Sequence, residues 1–181
     1  MPASEAARYR GYWDPPLLSF SSSLNARSYS ARAAELRDQI SVQGRWYRRF
    51  SGDKGNIAII DYDISGIGEG TIFAHSGKRA ASGTAPYIAE SSERYFRTII
   101  YRELDRSIDA EAKALEALAR RLGATNPPSF EYRLPGIRGT VDLFTELLPC
   151  ESCGGLTGMN GVIGQFRFLF PNVKVNVHWS R

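Results

Sequence analysis

The stretch GTVDLFTELLPCESCGG, residues 139–155, decides the fold. Its first half, GTVDLFTELLP, mixes β-branched and apolar residues and reads as a strand that runs into a turn at Pro149. Cys150 and Cys153 follow at once, and they are the only two cysteines of the chain. A lone Cys-x-x-Cys has three readings: half of a metal site, a redox pair, or a disulfide that staples a loop. A redox pair predicts a thioredoxin-like frame with a helix after the first strand, and none reads here. A four-ligand structural zinc needs two further Cys or His nearby, and the only histidines are His75 and His178.

Outward from that stretch, residues 151–170 read as a Gly-interrupted helix with Val162, Ile163, Phe166, Leu169 and Phe170 on its apolar side. VKVNVHW then alternates and closes the chain as a strand. Upstream, Ile108, Ala112, Leu115, Ala119 and Leu122 recur at helical spacing, and the helix ends near Gly123. NIAIIDYDI and GEGTIFAHSG, from residue 56, read as adjacent strands joined by a Gly-rich turn. Residues 77–92 look like a long loop, and RYFRTIIYREL after it gives mixed signals. The core order is strand, strand, helix, strand, helix, strand. Its two strand-helix-strand units imply parallel neighbours covered by helices.

In that layout Cys150 falls where a strand gives way to a helix, and Cys153 lies one turn inside the helix. A helix N-terminus disposes both sulfurs toward thiolate, the metal-binding form. The preceding helix starts with IDAEAK, so Asp109 and Glu111 stand at a helix start on the same sheet edge. Taken singly, each is an ordinary first-turn acid favoured by the helix dipole.

At 181 residues, with 43% hydrophobic and 23% charged residues, the chain is long enough and apolar enough for a real core. The formal net charge of +4 is compatible with a polyanionic partner, and arginines concentrate in the first fifty residues. Residues 1–27 are rich in Pro, Ser, Arg and aromatics and read as an extended arm. A helix is expected over 28–42, so residues 1–50 form an N-terminal arm and helix and residues 51–181 the main domain. Two closely spaced cysteines point to a reducing working compartment. No apolar run is long enough to span a bilayer and no signal-type start is present, so no membrane partner is expected.

With these motifs the sequence resembles the zinc-dependent cytidine deaminase superfamily, closest to deaminase domains that form the C-terminal toxin of bacterial polymorphic effectors. That superfamily places HxE at one helix start and PCxxC at the next. Here DAE stands at 109–111 and PCESC at 149–153, led in by TELLPC and closed by FRFLFPNVKVNV, so the resemblance covers roughly residues 56–181. It implies an α/β fold, a three-layer α/β/α sandwich on a mixed sheet, and a zinc cofactor. It makes Asp109, Cys150 and Cys153 zinc ligands and Glu111 the proton shuttle for hydrolytic conversion of cytosine to uracil. Asp109 stands where most of the superfamily has His or Cys, which leaves open whether His75 or His178 donates the third ligand instead. His178, on the alternation of the last strand, reads more simply as a strand residue.

His75 and Ser76 end the second strand, where this fold faces its substrate pocket, so a base or phosphate contact is expected of them; a plain HSG turn is the other reading. Basic and aromatic residues interleave in RWYRRF (45–50) and RYFRTIIYR (94–102). That mixture suits a single-stranded nucleic acid, and Arg97 and Tyr101 in the second stretch are candidate contacts. A buried ring beside a solvated arginine is the plainer reading of each stretch alone. The resemblance implies single-stranded DNA as substrate, a secreted effector acting in the target-cell cytoplasm, and a cognate immunity protein as partner. The alternatives are a deaminase of RNA, double-stranded DNA or free nucleotides, or a catalytically inactive nucleic-acid-binding domain of the same fold. A chain ending just after the last strand fits a C-terminal toxin domain.

Overall fold

A computed structural model describes residues 24–42, 55–101, 103–154 and 161–180. In chain order the elements are α1 (Leu24–Val42), β1 (Ile57–Ile64), β2 (Gly68–His75), β3 (Ile100–Tyr101), β4 (Leu104–Asp105), α2 (Ala110–Arg121), β5 (Arg138–Thr145), α3 (Val162–Leu169) and β6 (Asn172–Trp179). The four long strands form one mixed sheet in the order β2-β1-β5-β6, and β3 and β4 make a separate small hairpin. The α/β class expected from the sequence is the one observed.

One expectation about strand direction needs correction. β5 and β6 are parallel neighbours joined through α3, but β1 pairs antiparallel with both β2 and β5. The unit β2-α2-β5 does connect strands of the same direction. Its two strands are not neighbours, because the tight Gly66/Gly68 turn folds β1 back between them. Gly66 and Gly68 have φ of 81° and 94°, a left-handed backbone that glycine adopts without a Cβ penalty.

Strand alternation divides the core into two. Ala58, Ile60, Tyr62 and Ile64 of β1, with Val141, Leu143 and the valines of β6, face α2 and α3. Ile57 and Ile59, with Phe73 and Phe144, face α1 through Tyr29, Ala33, Leu36 and Ile40. β1 is therefore apolar on both sides, which is why IAII lacks alternation. The result is three layers: α1, the sheet, then α2 with α3.

α1 starts at Leu24, so the last four residues assigned to the arm are helical in backbone; residues 1–23, and RWYRRF with them, lie outside the described residues. α1 is held by more than its apolar stripe. Tyr29 stacks on Phe144 with centroids 5.4 Å apart, Arg32 forks onto Asp61 of β1, and Arg37 reaches Glu146 and the Gly55 carbonyl.

The helix expected over 151–170 is also corrected. Among the described residues of that stretch regular helix covers Val162–Leu169 and Glu151–Gly154 form a turn, while residues 155–160 lie outside the described residues. Glycine costs about 1 kcal/mol per helix-interior position relative to alanine, and residues 151–170 have glycines at 154, 155, 158, 161 and 164. Gly154 in fact takes φ 122°, which no helix can include. RYFRTIIYREL resolves into an irregular run to Ile99 followed by the β3–β4 hairpin.

Candidate metal centre and active site

The cysteines stand on the turn outside α3, held against its start. The Cys153 and Gly154 amides close the turn by donating to the Cys150 carbonyl, both at 3.0 Å. The carbonyls of Ser152 and Cys153 then accept from the amides of Val162 (3.0 Å) and Ile163 (2.9 Å), so the turn caps two otherwise unpaired donors of the helix. Gly154 and Gly161 touch backbone to backbone, and a Cβ on Gly161 would lie 2.2 Å from the Gly154 Cα. Turn and helix are thus one rigid piece.

Asp109 is the N-cap residue of α2, with φ −66° and ψ 145°, yet its side chain makes no capping hydrogen bond. The carboxylate turns to the cysteines instead: its Oδ2 lies 3.4 Å from Cys150 Sγ and 3.6 Å from Cys153 Sγ. Ligand atoms of the three residues all fall within 4.8 Å of one another. Zinc–ligand bonds of 2.0–2.3 Å in a tetrahedron separate ligand atoms by roughly 3.5 Å, so the donor set fits such an ion with one position left open. Among the described residues no histidine joins this group.

Glu111, one helical step further, is 3% exposed. Its Oε1 accepts from Asn56 Nδ2 at 2.8 Å and lies 2.8 Å from Thr145 Oγ1, while Oε2 is 3.8 Å from Cys153 Sγ. Asn56 spends its remaining groups on Thr145 Oγ1 (2.7 Å) and on the Leu147 amide (3.2 Å), so the carboxylate sits in a closed network. Oε1 is locked, and Oε2 lies beside the Cys153 sulfur.

The electrostatics describe a cluster with more acidic groups than positive charge. Burial, then the charge of Glu111, pushes the Asp109 carboxyl up to about 7, and burial pushes Glu111 up as well. Cys150 is brought down to about 4, chiefly by the hydrogen bond from Cys153 and then by Arg106; Cys153 is correspondingly pushed up by that bond and by burial. Arg106 Nε, 3.0 Å from Asp109 Oδ2, is the one cation paired with this carboxylate among the described residues. Four acidic groups that cannot all ionise together are the environment a divalent cation relieves.

The other sequence candidates are placed differently. His75 is buried and on the α1 face of the sheet, in step with Phe73, whereas Glu111 lies on the opposite face. Its ring is engaged by its own loop: Nδ1 donates to the Ser76 carbonyl (2.9 Å) and Nε2 accepts from the Ala81 amide (3.1 Å). Neither nitrogen is presented to the metal cluster. Ser76 donates its amide to the Asn56 carbonyl (2.9 Å), one residue from the network around Glu111. His178 bonds Asp142 through Nε2 at 3.1 Å and stacks near Tyr29, also on the α1 face. Arg97 is exposed, and Tyr101 ends β3 with its side chain outside the described residues.

Sequence reasoning missed Asn56, Thr145, Arg106 and Lys113. Lys113 is 2% exposed and donates to the carbonyls of His75 (2.8 Å) and Gly77 (3.1 Å), fixing the loop after β2 to the catalytic helix. Its signal was a charged residue at an inward-facing helix position, two residues after Glu111. Asn56 and Thr145 carried no such mark, since a polar residue at a strand end is commonplace.

An α/β sandwich that brings a carboxylate and two thiols together at the ends of its strands, with a buried glutamate beside them, is the architecture of a zinc-type hydrolytic deaminase. Residues 41–181 match the Toxin-deaminase family, described as the BURPS668_1122 family of deaminases, and the chain belongs to that family. No curated protein and no solved structure matches the chain. The family makes this a deaminase toxin domain. Among the described residues no helix is long and apolar enough to cross a membrane.

Proposed function

We propose that the domain hydrolyses the amino group of cytosine in single-stranded DNA, consuming water and releasing ammonia and uracil, with zinc held by Asp109, Cys150 and Cys153. We propose further that it is the toxic part of a secreted interbacterial effector. It acts in the cytoplasm of the target cell, and a cognate immunity protein covers its cleft in the producing cell. The observation that carries the chemistry is Glu111, buried and fixed through Oε1 with Oε2 beside the Cys153 sulfur.

When bound, a zinc ion there supplies Lewis-acid activation of a water at its open position. Glu111 takes the proton lost by that water, delivers it to ring N3 as carbon 4 is attacked, and carries a second proton to the departing amine. Its carboxyl is pushed up by burial, the direction a proton shuttle working near neutrality needs. Asn56 and Thr145 hold the carboxylate in place, so that proton transfer needs no search. Carbon 4 is out of reach inside a duplex, which favours an unpaired base. Cations and rings in residues 94–102, Arg97 and Tyr101 among them, supply what an unpaired strand binds.

The test is incubation with single- and double-stranded oligodeoxynucleotides, an RNA, and free deoxycytidine, each read by uracil excision or mass. Uracil is expected in the single strand, with activity lost in Glu111→Gln while the metal is retained. Full activity in Glu111→Gln defeats the mechanism, and product confined to RNA, duplex or nucleoside reassigns the substrate.

A further inference from the structure

Between the loop after β2 and the β3–β4 hairpin, residues 94–99 have no regular secondary structure, yet their backbone is gripped along its length. The amides of Tyr95 and Phe96 donate to the Glu116 carboxylate of α2, at 3.1 and 2.7 Å. Arg97 pairs both backbone groups with the Gln165 amide of α3: its N–H donates to Oε1 (2.8 Å) and its carbonyl accepts from Nε2 (2.9 Å). The Ile99 amide donates to Oγ of Ser152, the residue between the cysteines, at 3.2 Å. Thr98 and Arg94 add bonds to Asp105, which caps the short turn into α2. The same three pieces that build the metal site, α2, α3 and the cysteine turn, therefore hold this run of chain.

What they hold out is unusual. Glu116 and Ser152 are buried at 6% and 2%, so two desolvated polar groups are committed to a coil. That coil gives only Phe96 to the fully buried core, and it presents Ile99 at 44% and Ile100 at 75% exposure, beside exposed Arg97. Leu147 and Leu148, at 42% and 49%, lead into Cys150. Apolar side chains left in water next to a cation, on a backbone fixed relative to a catalytic centre, are a prepared contact surface.

We propose that residues 97–100 form a ledge for the nucleotides flanking the target base. Ile99 and Ile100 pack against the face of a neighbouring base, Arg97 meets the phosphate, and Ser152 and Gln165 act as positioning residues that fix the ledge relative to the cysteines. The occupant follows from continuity. The ledge starts one hydrogen bond from the residue between the cysteines, which puts it beside the place where a target base would meet Glu111 and within reach of the nucleotides that flank it. Every base offers an apolar face, and every nucleotide brings the charge that Arg97 complements. This inference rests on the nucleic-acid reading proposed above.

The test uses Ile99→Asp, Ile100→Asp and the milder Ile100→Ala, with Ser152→Ala for positioning, in the full chain. Metal content, melting temperature and deamination are measured on single-stranded oligodeoxynucleotides carrying one cytosine between varied neighbours. The aspartates, on exposed sites, are expected to keep metal and melting temperature and to lose on the order of tenfold or more in kcat/KM, mostly through KM, with flattened preference among neighbours. Ser152→Ala is expected to raise KM with metal content unchanged. If the wild type deaminates and the aspartate variants match it in rate and neighbour preference, the ledge is wrong while the deaminase reading stands. If instead they change only self-association in gel filtration, the surface belongs to a second copy of the chain and the ledge is equally overturned. A wild type inactive on every nucleic acid removes both ideas together.

Discussion

Asp109 and Glu111 sit two residues apart at a helix start and do opposite things with their carboxylates. An aspartate at an N-cap ordinarily accepts a backbone amide of the first turn. Asp109 gives that bond up and commits Oδ2 to the Arg106 guanidinium at 3.0 Å and to the side of the two sulfurs. The residue types and spacing of this pair and of the cysteines were legible in the sequence. The network behind Glu111 was not, because Asn56 and Thr145 come from the start of one strand and the end of another and meet only once β1 and β5 pair. Asn56→Ala is expected to lower kcat roughly tenfold with KM little changed, since it removes an orienting hydrogen bond and not a substrate contact. Steady-state kinetics on a cytosine oligonucleotide check this, and an unchanged kcat means Glu111 is oriented by its helix alone.

At the level of elements, the loop after β2 and the cysteine turn are the two pieces that irregular backbone contributes to the site. His75 joins the first by accepting the Ala81 amide on Nε2, a role that needs the neutral ring. Burial, then the charge of Lys113, lowers its pKa from the ordinary 6.5. The unfolded chain therefore binds a proton near pH 6.5 that the folded chain refuses until lower pH, so folded stability is complete above that value and falls as pH drops through it. Asp109, pushed up to about 7, acts with the opposite sign over the same range, so the imidazole is read by difference. In urea unfolding from pH 7.5 to 5, wild type is expected to lose stability relative to His75→Gln as pH falls, and a pH-independent difference between the two rejects the assignment. The cysteine turn makes a separate demand. Gly161→Ala puts a methyl group 2.2 Å from the Gly154 Cα, a backbone atom that can move only by carrying Cys153 with it. A loss of about 1–3 kcal/mol in stability is expected, together with weaker zinc retention against a chelator. Retention equal to wild type means that the turn adjusts independently of α3. Glycine content foretold a break in this region, but not that the break would detach the cysteines from the helix, because cap bonds from Val162 and Ile163 are backbone contacts that side-chain periodicity does not register.

On the scale of the molecule, the least legible feature was what covers the second face of the sheet. The IAII run reads in the sequence only as a strand, and that it buries both of its faces emerges with the structure. The cover is α1, most of which precedes the family match at residues 41–181. A helix read as part of an arm is thus a layer of the sandwich, and it reaches the active region as well. Arg37 bridges to Glu146, whose Oε2 also accepts the Ile57 amide at 3.1 Å, and Glu146 lies four residues before Cys150. Losing α1 would expose Ile57, Ile59 and Phe144, each at most 1% exposed, and leave the Glu146 carboxylate without its cation. A chain beginning at residue 41 is therefore expected to bind hydrophobic dye, to lose cooperative unfolding and to retain little zinc. Leu36→Ala in the full chain, a milder lesion at an 8% exposed position, is expected to cost about 2–3 kcal/mol in urea unfolding while leaving the order of metal binding and activity intact. Should the shortened chain unfold cooperatively at the midpoint of the full one, the sheet must find another cover, and α1 would be an appendage after all.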